Sequence, residues 1–103
     1  MILLYVPCKN KIEAKEISEK LLSEKLIACV NIIESESIYF WEEKLLQQPE
    51  TIIIIKTSEE KSLIVQNRIE QLHSYKLPGI IKISCEANKK YEEWILNTVK
   101  NIN

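Results

Sequence analysis

Few side chains in this sequence can do chemistry, and their types and spacing restrict what that chemistry is. His73 is the only histidine, and the three cysteines, Cys8, Cys29 and Cys85, are dispersed along the chain. Imidazole and thiolate both ligate copper and zinc. One histidine nevertheless excludes HExxH and three-histidine zinc sites, and the lack of any CxxC excludes zinc knuckles and thioredoxin motifs. All fifteen acids are Glu, so Walker-B, kinase and EF-hand sites as usually built are absent, and so is a Ser-His-Asp triad. Gly79 is the sole glycine, which rules out a glycine-rich phosphate loop. Acid–base work would fall to Glu, Lys, Tyr or Cys, and no pair of these is placed by sequence so as to perturb a pKa. The chain reads as a non-enzyme.

The whole sequence supports that restricted view. Its 103 residues make one domain, spanning 1–103, of 46% hydrophobic and 28% charged composition. A net charge of −1 gives no field that would draw it to nucleic acid or anionic lipid. The longest purely aliphatic run is residues 52–55, so no membrane span is expected. The amino-terminal stretch has neither a basic n-region nor room for an h-region. An odd cysteine count suits reduced thiols, and a cytoplasmic location is expected.

These residues need elements to position them. Residues 2–6 are an apolar run ending at Pro7, the pattern of a buried strand. Asn10 offers an N-cap with Glu13 as capping-box partner; Ala14, Ile17 and Leu21 then form a helical stripe, giving a helix over about residues 11–25. Ile27 to Phe40 is rich in β-branched and aromatic residues and reads as a strand, interrupted at residues 34–37 by a bulge or an exposed stretch. Glu42 and Glu43 sit at a hairpin turn. The return strand covers residues 44–56, with Pro49 at an edge or bulge. Thr57 and Glu60 suggest a second capping box before a helix ending near His73. Residues 78–85 form a further strand, and Asn88 caps a last helix bearing Tyr91, Ile95 and Val99.

The order β-α-β-β-α-β-α is an α+β, ferredoxin-like split βαβ fold. Right-handed crossovers place its strands in the antiparallel order 4-1-3-2. Several tenants of that fold are excluded by residues. Three dispersed cysteines cannot hold an iron–sulfur cluster, Cys8 alone is not a copper-chaperone CxxC, and residues 52–55 are not an RNP strand. Arg68, the only arginine, lies mid-helix rather than in the first loop, where acylphosphatase-like catalysis needs one.

The topology also sorts the candidate ligands. Cys8 follows the C-terminal end of the first strand, and the second helix brings His73 back to the same end of the sheet. Cys29 and Cys85 share the opposite end but lie on opposite edges, about 14 Å apart across three strand spacings. Cys8 with His73 is therefore the plausible soft pair in one subunit, and a third ligand has to come from a Glu or a neighbouring subunit. His73 has two readings, a cation complementing the helix dipole or a copper or zinc ligand. Cys29 and Cys85 read as small buried hydrophobes. Tyr39, Phe40 and Trp41, with Glu42 and Lys44, crowd a hairpin too long to cover itself, which favours an intersubunit contact.

One family shares a specific set of these residues. ACVN (residues 28–31) within LSEKLIACVN (residues 22–31) is followed by SIYFWEEK (residues 37–44). Lys56-Thr57 opens the second helical segment, Leu72-His73-Ser74-Tyr75 precedes Leu77-Pro78, and YEEW spans residues 91–94. The chain resembles the CutA divalent-cation tolerance family over nearly its whole length. It departs by Glu34-Ser35 where Pro-Gly is usual, by Glu43 in place of Gly, by Ser74 in place of Pro and by Gly79 in place of Glu. Glu43 is thus expected at positive φ, at about 1 kcal/mol.

The resemblance implies a cytosolic homotrimer of PII-like architecture, associated with tolerance of copper and other divalent metals and with no firm reaction. It marks His73 as a metal ligand. Lys56, Thr57 and Tyr75 are candidates for lining an intersubunit cleft, with a capping Thr and a solvated Lys as the plainer readings. The alternative function is a PII-like module binding a small metabolite or partner protein without catalysis.

Overall fold

Alternating burial along the apolar β1 (Ile2–Cys8) organises the molecule. In this computed structural model, which describes residues 1–100, Ile2, Leu4, Val6 and Cys8 are wholly buried and the residues between them half-buried. The buried set faces two helices, α1 (Lys11–Ser23) and α2 (Ser62–Leu72), and packs with Ala14, Ile17, Leu21, Val65 and Ile69. The other strands are β2 (Cys29–Trp41), β3 (Lys44–Thr57) and β4 (Ile81–Ser84), followed by α3 (Lys89–Thr98). The sheet order is β2-β3-β1-β4 with all neighbours antiparallel. This is the expected ferredoxin-like arrangement read from the other edge.

Local chemistry sets the ends of the elements. Asn10 caps α1 by accepting from the Glu13 amide at 2.9 Å, but the Glu13 carboxylate takes the Lys9 amide rather than that of the cap residue. The helix stops at Ser23 rather than residue 25. The Leu26 amide returns to the Leu21 carbonyl and that of Lys25 to Leu22, a Schellman closure with Lys25 in the left-handed position normally given to glycine. The second capping box does not form. Thr57 ends β3 and donates to the Leu26 carbonyl at 2.8 Å, whereas Ser58 caps a 3₁₀ turn, Glu59–Lys61, from which α2 then starts. β4 is shorter than expected because only Ile81 to Ser84 lie opposite β1.

The hairpin keeps one register from Cys29↔Lys56 to Trp41↔Lys44, so residues 34–37 form no bulge; Glu34 and Glu36 are exposed and Ser35 and Ser37 half-buried. Glu42 and Glu43 have φ of 50° and 66°, as a two-residue turn between twisted strands demands. β1 accompanies β3 only as far as Cys8↔Thr51. Beyond that the hairpin stands alone, Pro49 lies in an unaccompanied edge, and the molecule is 50 Å long.

The sheet face opposite α1 and α2 stays open along much of its length. Ile33, Ile81 and Ile83 are exposed there. At one end α3 closes it, where Ile95 and Val99 pack with Ala28, Met1, Cys29 and Tyr91.

Candidate functional site

Cys8 and His73 meet at one end of the sheet. β1 delivers Cys8 to the core side, and α2 ends by donating the His73 amide to the Ile69 carbonyl at 2.8 Å, turning the chain to extended geometry. The imidazole is buried and its nitrogens are committed to backbone groups rather than to the terminal carbonyls of α2. Nε2 lies 2.8 Å from the Pro7 carbonyl, and the Tyr75 amide donates to Nδ1 at 3.1 Å. A carbonyl only accepts and an amide N–H only donates, so the proton sits on Nε2 and the ring is neutral. The dipole-complementing reading of His73 is therefore not realised.

The third member is Glu13, in the first turn of α1. Its Oε1 accepts from the Lys9 amide at 3.1 Å and lies 3.9 Å from His73 Nδ1; its Oε2 accepts from the Ser74 amide at 3.1 Å. Burial pushes this carboxyl up, but the hydrogen bonds from Ser74 and Lys9 outweigh it and hold the group below the usual carboxylate range. For Cys8, burial comes first and the charges of Glu13 and Glu50 add to it, so the thiol is pushed up to about 12. One ligand atom each from Cys8, Glu13 and His73 lies within 4.8 Å of the others. In the sequence, Glu13 stood out only as a capping partner. Its position five residues past Cys8, in the helix that β1 feeds, was the available signal.

The donor set suits a metal in type: one sulfur, one imidazole nitrogen and one carboxylate. It also suits one in proximity, since three donors around an ion at about 2.0–2.3 Å lie a few ångströms apart. His73 and Glu13 are engaged in the network just described, and the Cys8 thiol donates weakly to the Val6 carbonyl at 3.8 Å, so an ion at Nδ1 has to displace the Tyr75 amide and the Cys8 proton has to leave.

A groove of about 570 Å³ adjoins this cluster, lined among others by Pro7, Tyr39, Trp41, Leu46, Tyr75 and Leu77. Tyr75 Oη donates to Glu50 at 2.8 Å, and Ser37 donates to the other oxygen of Glu50. Burial, with the carboxylate of Glu50 beside it, raises the Tyr75 phenol above its ordinary pKa.

The remaining predicted residues fall elsewhere. Lys56 donates to Tyr91 Oη at 3.1 Å, opposite Cys29 in register, and Thr57 is fully buried. Five and six strand positions separate them from the Cys8 end, about 17 and 20 Å, so one subunit does not bring them to Tyr75. Cys29 and Cys85 are half-buried rather than core residues. Cys29 lies at the end of the sheet that α3 closes, with Tyr91 Oη 3.7 Å from its sulfur, and Cys85 follows β4, its amide donating to the Met1 carbonyl. Phe40 and Trp41 are 72% and 61% exposed, Tyr39 is less so, Glu42 is the first residue of the turn and Lys44 follows it.

Residues 2–98 match the family described as CutA1 divalent ion tolerance protein. The chain belongs to that family. It is 37% identical to Protein CutA 1, chloroplastic, of Oryza sativa subsp. japonica, over 96% of this chain and 57% of that protein, so it spans little more than half of this relative. The structure of the periplasmic divalent cation tolerance protein CutA from Archaeoglobus fulgidus superposes with a TM-score of 0.91 at 36% identity, covering 97% of this chain and 100% of that one. The PII-like protein CutA from Nostoc sp. PCC 7120 shares the fold, with a TM-score of 0.90 at 23% identity and coverage of 97% and 98%. Of the stretches on which the resemblance rests, residues 22–31 close α1 and enter β2, residues 37–44 form the hairpin tip, and residues 72–78 build the loop that joins the cluster to the groove.

Proposed function

We propose that this chain engages divalent or soft metal ions, copper among them, through Cys8, His73 and Glu13, and so contributes to metal tolerance without catalysing a reaction. The observation that supports it is the convergence of a thiol, a carboxylate and an imidazole within 4.8 Å. When bound, the ion would be held by Cys8 Sγ as thiolate, a Glu13 oxygen and His73 Nδ1; Pro7 keeps the ring oriented through Nε2, as outer-shell partners of ligating histidines do. Calorimetric titration with Cu(II) tests this. His73→Ala should lose about a hundredfold in affinity or more, and equal affinities for wild type and variant would remove the site.

We further propose a cytosolic homotrimer joined through the open aliphatic face and the hairpin residues Tyr39, Phe40, Trp41, Glu42 and Lys44. Between subunits, Lys56 of one copy and Tyr75 of the next would line a cleft, whereas the Thr57 hydroxyl is already bonded to Leu26. Among the described residues no helix is long and apolar enough to cross a membrane; fractionation that finds the protein in the periplasm would refute the cytosolic assignment. A second reading, a PII-like module binding a metabolite or partner, is favoured by the groove of about 570 Å³ beside Tyr75, a size typical of small-molecule sites. Equilibrium dialysis against a metabolite mixture tests it, and occupancy that survives Trp41→Ala and Tyr75→Ala would contradict it.

A further inference from the structure

Tyr75 belongs to both places at once. Its amide donates to His73 Nδ1 at 3.1 Å, the ring nitrogen that faces Glu13. Its ring lies against the imidazole, with centroids 4.7 Å apart. Its hydroxyl donates to Glu50 at 2.8 Å, and Glu50 also accepts from Ser37 on the neighbouring strand. Tyr75, Glu50 and Trp41 all line the groove. A continuous set of hydrogen bonds therefore runs from the buried cluster, through one residue, to both strands of the projecting hairpin.

We propose that metal capture at His73 Nδ1 evicts the Tyr75 amide and releases the Tyr75–Glu50 tie, so that metal occupancy reshapes the groove and frees the hairpin base. The inference rests on the metal-binding reading and assigns that site a consequence. Nδ1 has a single lone pair, which an amide N–H and a metal ion cannot both use. Nε2 offers no alternative, because it carries the proton held by Pro7 and points at that carbonyl. The Tyr75 amide must therefore find water or another acceptor, and residues 74–79, which line the groove at Tyr75, Lys76, Leu77 and Gly79, move with it. Two sites and two states of one element give this coupling its physical content.

The direction of the effect separates this device from plain stabilisation. A ligand that binds only the folded protein slows amide exchange generally. Here one amide must do the opposite. The test is Zn(II) added to the full chain, since Zn(II) does not quench indole as paramagnetic copper does, in a Trp94→Phe background that leaves Trp41 as the only indole. Calorimetry reports binding, hydrogen exchange reports the Tyr75 amide and the amides of β1, and emission reports Trp41. With Zn(II) bound, the Tyr75 amide should exchange about tenfold faster or more while β1 amides slow, and Trp41 emission should shift with the same saturation point. Tyr75→Phe, which keeps the amide and removes only the hydroxyl, should retain Zn(II) binding and the faster amide exchange but show most of the Trp41 shift before metal is added. Zn(II) binding that His73→Ala abolishes, with a slowed Tyr75 amide and unmoved Trp41, overturns the coupling and leaves the metal site standing. No Zn(II) binding at all overturns both.

Discussion

His73 carries its proton on Nε2 because each ring nitrogen faces a backbone group of fixed polarity. The same logic governs Cys8, whose thiol stays protonated because burial, Glu13 and Glu50 all oppose a thiolate. A bound ion must then release one proton from Cys8 at any pH well below about 12. Metal affinity is accordingly expected to rise about tenfold per pH unit near neutrality, and titrations at several pH values should show Cys8→Ser losing that slope. Glu13 titrates in the opposite sense. Its folded pKa is depressed, so its contribution to stability is complete above the ordinary carboxyl value and is lost as pH falls through the folded one. Chemical denaturation from pH 7 downward should show wild type losing stability below about pH 4.5, and Glu13→Gln, less stable at neutrality, losing less over that interval.

Among the elements, the hairpin carries a visible local conflict. Glu42 and Glu43 both occupy positive φ, where a side chain with a Cβ is strained. Glu43→Gly is expected to raise stability by about 1 kcal/mol, read as a higher urea midpoint with unchanged slope; a lower midpoint would mean the side chain contributes more than its backbone costs. The Glu43 part of that strain was readable from the resemblance, which puts glycine at this turn position; positive φ at Glu42 was not expected. The strand order was readable too, since apolar, β-branched runs alternate with 3.6-period stripes and right-handed crossovers leave one arrangement. The approach of Cys8 to His73 followed from it. The detail around the pair was not readable. Lys9, Ser74 and Tyr75 act through backbone amides, which carry no residue signature, and their aim depends on how the loop after α2 turns. Thr57 shows the same limit from the other side: a capping pattern is overridden once β3 runs one residue longer and the hydroxyl finds the Leu26 carbonyl.

At the scale of the whole molecule, the open aliphatic face and the self-standing hairpin leave Ile33, Ile38, Phe40, Trp41, Leu45, Ile81 and Ile83 exposed, and contiguous exposed apolar patches mark contact surfaces. Sedimentation equilibrium should give about three times 12.1 kDa. Phe40→Ser with Trp41→Ser should shift that mass towards the monomer while leaving the far-UV dichroism of the subunit intact, because both lie beyond the part of β3 paired with β1. A concentration-independent monomer for the unaltered chain would remove the trimer and the intersubunit cleft together. The metal cluster does not depend on that outcome, since all three of its donors come from one subunit. Its most direct test is X-ray absorption at the zinc edge of Zn(II)-loaded protein. The expected shell contains one sulfur at about 2.3 Å, one imidazole nitrogen and oxygen at about 2.0–2.2 Å, with the sulfur lost in Cys8→Ser and the imidazole scattering lost in His73→Ala. A shell of oxygen alone, unchanged in both variants, would contradict the account.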